Sequence, residues 1–137
     1  MRKLIRLIVK HLNCVPMLIA LVAMIAAIPA QAQVSAPFLG TWKVTWQYEA
    51  KAYEATMTVT ESGGSWQTAN RRQNNACAGR DVPMKVNSAS PTEVQYTLAF
   101  TDVLPGCRNV PVVLKAGTDG AVSGTRSQLE LTLTRQP

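Results

Sequence analysis

Histidine is almost absent from this sequence: the 137 residues hold one, His11. A Ser-His-Asp or Cys-His arrangement therefore cannot be assembled in the body of the chain. A zinc site there would lack its commonest nitrogen ligand. Aromatic residues are also scarce, at 6 %. Acidic residues are missing altogether from the first 32 positions, which instead carry Arg2, Lys3, Arg6 and Lys10. That segment holds +4 of the formal net charge of +6, leaving ten basic and eight acidic side chains, net +2, in the other 105 residues. A nucleic-acid binder would carry its positive charge in the folded part, so that class is disfavoured. The length excludes a multi-domain enzyme. Gly63-Gly64 is a hairpin turn, and no glycine-rich phosphate loop precedes a helix. The carboxylate pairs Glu49 with Glu54, and Asp81 with Asp102, read as solvated acids. A glycosidase would need two of them placed across a substrate cleft. No catalytic residue, metal or cofactor is expected.

The first 32 residues have the three parts of a secretory signal peptide. Met1 to Lys10 is basic, Met17 to Ile28 is an apolar run of twelve residues, and Pro29 breaks it before Ala30-Gln31-Ala32. Small residues at the first and third positions before Gln33 suit cleavage after Ala32. A spanning helix needs about 20 apolar residues, so a retained anchor is the lesser alternative and no stable anchor is expected after cleavage. Cys14 precedes the main apolar run, lacks the small residues of a lipoprotein site, and leaves with the leader. The expected destination is the bacterial periplasm or the exterior. Cys77 and Cys107 remain, an even number in an oxidising compartment, and are expected to pair. The bridge closes 31 residues, counted inclusively, for about 3 to 4 kcal/mol in the chain-entropy treatment.

The rest of the chain alternates with period two. Trp42, Val44, Trp46 and Tyr48 alternate with Lys43, Thr45 and Gln47. Tyr53, Ala55, Met57 and Val59 alternate with Glu54, Thr56, Thr58 and Thr60. Val94, Tyr96, Leu98 and Phe100 form a third series, and Leu129, Leu131 and Leu133 a fourth. This is the pattern of antiparallel strands with one dry and one wet face. Weaker strands fit 65–70, 82–87, 110–115 and 121–125, with turn signals at Ser62-Gly63-Gly64, Ser90-Pro91, Pro105-Gly106 and Asp119-Gly120. Glu49 to Ala55 is rich in helix formers and admits a short helical turn. Eight strands with short connections predict an all-β single domain over 33–137, a small antiparallel up-and-down barrel, with a two-sheet β-sandwich as the alternative. In such a meander successive loops alternate between ends. Cys77, in the third loop, and Cys107, in the fifth, then fall at one end and can bridge.

Phe38-Leu39-Gly40-Thr41-Trp42-Lys43 resembles the opening strand of the calycin barrels, the lipocalins and fatty-acid-binding proteins. The resemblance implies that a basic residue of the last strand, here Arg135, packs across Trp42 at the barrel floor. Asn75 to Pro83, Leu104-Pro105-Gly106-Cys107 and Gly124 to Arg135 are similar to a family of small secreted bacterial proteins that carries no assigned activity. That likeness implies fold and secretion alone.

Two groups of residues remain as candidate sites. Trp46, Trp66 and Tyr96 lie on inward-facing positions, where they either pack the core or line a ligand cavity. Arg71, Arg72, Arg80, Arg108 and Arg126 fall in loops that the alternation brings to the disulfide end. Arginine suits bidentate contacts to carboxylates or phosphates. The expected function is a non-catalytic binding module. In the first form it docks a protein, as inhibitors and immunity proteins do, through the basic, disulfide-tied loop end. In the alternative form it carries a small apolar ligand, such as a lipid, in the barrel interior.

Overall fold

Alternation of dry and wet side chains obliges each segment to cover one face, and eight such segments in succession cover one another by closing. The computed structural model describes residues 32–69 and 75–137. It contains eight strands: β1 (Gly40–Tyr48), β2 (Lys51–Thr60), β3 (Gly63–Thr68), β4 (Asp81–Ala89), β5 (Glu93–Leu98), β6 (Val110–Ala116), β7 (Val122–Arg126) and β8 (Leu129–Arg135). One short helix, α1 (Phe100–Val103), lies between β5 and β6. Every neighbour pair is antiparallel, and β1 pairs with β8 from Trp42↔Arg135 to Thr45↔Thr132, which closes the barrel. No strand edge is left open for pairing with another chain, and the sandwich alternative does not apply.

The inner face is the one the alternation predicts. Val44, Met57, Trp66, Val82, Val94, Tyr96, Leu98, Val112 and Leu114 are completely buried. They fill the middle of the barrel, as side chains do in small eight-stranded barrels. Cys77 and Cys107 form the expected disulfide.

Two local expectations are corrected. Glu49 to Ala55 forms no helical turn: Tyr48 pairs with Lys51, and Glu49 and Ala50 make a two-residue hairpin turn with φ of 49° and 59°. That is the turn whose twist matches the flanking strands, although neither residue is the usual glycine or asparagine. Phe100 does not extend β5. The strand ends at Leu98, and Phe100 opens α1 and tucks its ring into the core at 5 % exposure.

The start of β1 and the end of β8 meet at the barrel floor. A 3-10 turn, Ala36–Phe38, lies across it, with Val34 and Phe38 buried beneath the strands. The Trp42 indole N–H donates to the Phe38 carbonyl at 2.9 Å. The Arg135 guanidinium stands 4.2 Å above the Trp42 ring and donates to the carbonyls of Leu39 and Pro37. Gly40, at φ 113°, makes room for it: a Cβ there would sit 2.9 Å from the Arg135 Nη1. The floor contact expected of Trp42 and Arg135 is thus formed.

Candidate functional site

The other end of the barrel is built differently. The β1–β2, β3–β4, β5–β6 and β7–β8 connections gather there, and they leave a cavity of about 460 Å³. Its walls are the upper ends of the strands, with Trp46 and Tyr48 from β1, Tyr53 from β2, Thr68 from β3, Val110 from β6, Arg126 from β7 and Leu129 from β8. Phe100 comes from α1, and Asn75, Cys77, Ala78, Arg108 and Ser127 come from the loops above. A volume of this size falls in the range of ordinary small-molecule sites.

The aromatic wall follows from register. Trp46 pairs with Tyr53 across β1 and β2, so the two side chains leave the same face side by side. Their rings stack with centroids 5.5 Å apart and planes 10° from parallel. Trp66, one strand further, leans against Trp46 at 5.7 Å. Its indole N–H is satisfied by the Thr68 hydroxyl at 2.9 Å. Of the expected interior residues, Trp46 therefore lines the cavity, while Trp66 and Tyr96 are fully buried in the packed layer beneath.

Arg126 is the unusual member. The sequence places it in the β7–β8 loop, yet it is the last residue of β7 and paired with Leu129 and Val112, on the inward phase of the strand. Its guanidinium carbon lies 5.1 Å from the Trp46 ring centre, within reach of a cation–π contact. Its Nε is buried and bonded to nothing. Loss of water around the guanidinium lowers its pKa from the ordinary value. The Tyr96 hydroxyl is a second buried polar atom without a partner, and its burial raises the phenol pKa.

The remaining arginines are placed unequally. Arg80 is half committed, since its Nε donates to the Ala76 carbonyl at 2.9 Å. Arg108 is exposed on the rim beside Cys107. Arg71 and Arg72 lie outside the described residues, as do the leader, His11 and Cys14. Among the acids near this end, Asp102 pairs with Lys85 on the outer surface. Glu54 pairs with Lys43 at 3.2 Å and also borders the cavity, so the wall carries a carboxylate beside its arginines.

The loops that carry these groups are held. The Cys77–Cys107 bridge, with Cα atoms 6.0 Å apart, ties the two longest together. The Asn109 side chain accepts from both the backbone N–H and the hydroxyl of Thr101 at 3.0 Å, which fixes α1 against the start of β6. The Asn75 side chain accepts from the Cys77 N–H at 3.0 Å. The sequence reading missed Tyr53, Phe100 and Leu129 as cavity walls. Tyr53 and Leu129 were visible as inward positions, but the end of a strand at which a cavity opens has no local signal.

Among the described residues no group of acidic, histidine or cysteine side chains has the arrangement of a metal site, and no helix is long and apolar enough to cross a membrane. Comparison with protein families, with curated proteins and with solved structures finds no match to this chain.

Proposed function

We propose that the protein is a secreted, non-catalytic binding module that takes a small ligand with an apolar body into the cavity at the disulfide-tied mouth. The observation that carries this reading is the recess itself. It has a volume of about 460 Å³, with a parallel Trp46–Tyr53 wall and apolar sides from Phe100, Val110 and Leu129. Loops pinned by a covalent bridge lose less entropy when a ligand seats among them. The leader pattern and the disulfide support an oxidising compartment such as the bacterial periplasm. A fluorescence titration with the neutral probe N-phenyl-1-naphthylamine tests the reading. One saturable site is expected in the native protein, and it should be lost in Leu129→Trp, which fills the recess. Unchanged probe emission at saturating protein would overturn it.

The docking of an acidic protein partner is the second reading. It is favoured by the exposure of Arg108 beside the bridge, where the four loops converge. It ranks lower because Arg126 turns inward onto Trp46 and is not presented to an approaching surface. Retention of a partner by the wild type, lost in Arg108→Glu, is its test.

A further inference from the structure

Taking the mouth cavity as a small-ligand site, as proposed above, we infer that its ligand is a compact planar aromatic carboxylate. The carboxylate meets Arg126, and the ring lies along the Trp46–Tyr53 wall. Three observations converge on this. The first is an unmet donor. Arg126 lines the cavity half-buried, with its Nε enclosed and unbonded and its guanidinium in no ion pair among the described residues. A partly desolvated cation without an anion is disfavoured, and a carboxylate accepting from the terminal nitrogens of its planar fork offsets that in the bidentate geometry arginine favours.

The second observation is the shape of the wall. Trp46 and Tyr53 stand nearly parallel, and Phe100 closes the recess from α1. Flat rings favour a flat guest, in offset-stacked or edge-on contact. The third is the absence of depth. Trp66, Tyr96 and Leu98 fill the barrel below with no exposed surface. A long acyl chain therefore finds no tunnel, and the ligand ends where the packed layer begins. Arg108 at the rim adds a second positive charge on the path of entry. The pull of Arg108 on an approaching anion is screened by salt, whereas a partly buried pair with Arg126 is screened less.

The test compares 2-naphthoate with its neutral isostere 2-naphthamide by titration calorimetry on the purified, disulfide-intact protein. Naphthoate should bind at least tenfold more tightly than the amide. Arg126→Met should bring naphthoate down to the level of the amide and leave the amide unchanged. Arg126→Lys, which keeps the charge but not the fork, should fall between the two. Lys115→Ala, on the outer surface, is the control and should change neither. Urea midpoints of the variants establish that each is folded, and Arg126→Lys carries the test should Arg126→Met not fold. Equal affinity for the two probes, or naphthoate binding indifferent to Arg126→Met and Arg126→Lys, would overturn the carboxylate assignment while leaving the cavity reading intact. Binding of neither probe would overturn both.

Discussion

Trp42 and Arg135 close the barrel floor, and their coupling can be measured. Trp42 is 5 % exposed and donates a buried hydrogen bond to the Phe38 carbonyl. Truncation to alanine removes a buried aromatic and leaves a void, for a loss of about 3 to 5 kcal/mol. Arg135→Ala removes the guanidinium 4.2 Å above the ring and its two bonds to carbonyls of the 3-10 turn. The stacking is worth about 0.5 to 2 kcal/mol. The carbonyls are near solvent and regain water, so the hydrogen bonds add about 1 kcal/mol. The expected single-variant loss is about 1 to 3 kcal/mol. The double variant should lose less than the sum, by about 0.5 to 2 kcal/mol, because the stacking contact is removed twice in the sum and once in the molecule. Urea titration followed by far-ultraviolet circular dichroism is the assay, since indole fluorescence changes with the substitution itself. The total stability of a domain of this size is about 5 to 15 kcal/mol, so Trp42→Phe serves as a milder partner in a parallel cycle. Lys43→Ala, one position along on the wet face and paired with Glu54 at 3.2 Å, is the control and should cost less than about 1 kcal/mol. Additivity of Trp42 and Arg135 within about 0.3 kcal/mol would refute the contact as a source of stability.

Two further outcomes follow from buried groups. Burial raises the Tyr96 pKa above its ordinary value of 10.0; the unfolded chain then releases this proton at a pH where the folded chain keeps it. The contribution is present below pH 10 and lost above it, at about 1.4 kcal/mol per pH unit. Tyr96→Phe should remove that slope in alkaline urea titrations, and should raise neutral-pH stability by about 1 kcal/mol by deleting an unpartnered buried hydroxyl; an unchanged slope would contradict it. Cys77→Ser with Cys107→Ser should lower stability by about 3 to 4 kcal/mol and weaken the binding of N-phenyl-1-naphthylamine, read by urea midpoint and by fluorescence.

Much of the barrel was legible because period-two alternation is a direct consequence of closing a sheet around a dry interior. Trp42-Val44-Trp46 and Leu129-Leu131-Leu133 carry that signal without ambiguity. The disulfide was legible through parity, since only an odd number of strands apart do loops fall at the other end. The Arg135 floor contact was legible through resemblance at Gly40-Thr41-Trp42. The turn at Glu49-Ala50 was not, because its positive φ values are imposed by the pairing of Tyr48 with Lys51 on either side and not by the residues themselves. Phe100 kept the alternation of β5 in sequence while leaving the strand in space, because a buried ring satisfies either arrangement. Arg126 was misplaced for a related reason. A charged residue beside a turn reads as solvent-facing, and only the register with Val112 and Leu129 turns it inward. The part of the candidate site that mattered most therefore came from long-range pairing.

The floor also decides how the molecule can be held. Val34 donates its N–H to Glu61, and Gln136 donates its backbone N–H to Thr41 at 2.8 Å. Both ends of the described barrel chain are thus stitched to the rim opposite the cavity. A sensor surface, a bead or a fluorescent fusion joined after Pro137 would grip the protein by its sealed base and leave the recess facing outward. Immobilised in that orientation, every copy would present the same open face to the solution.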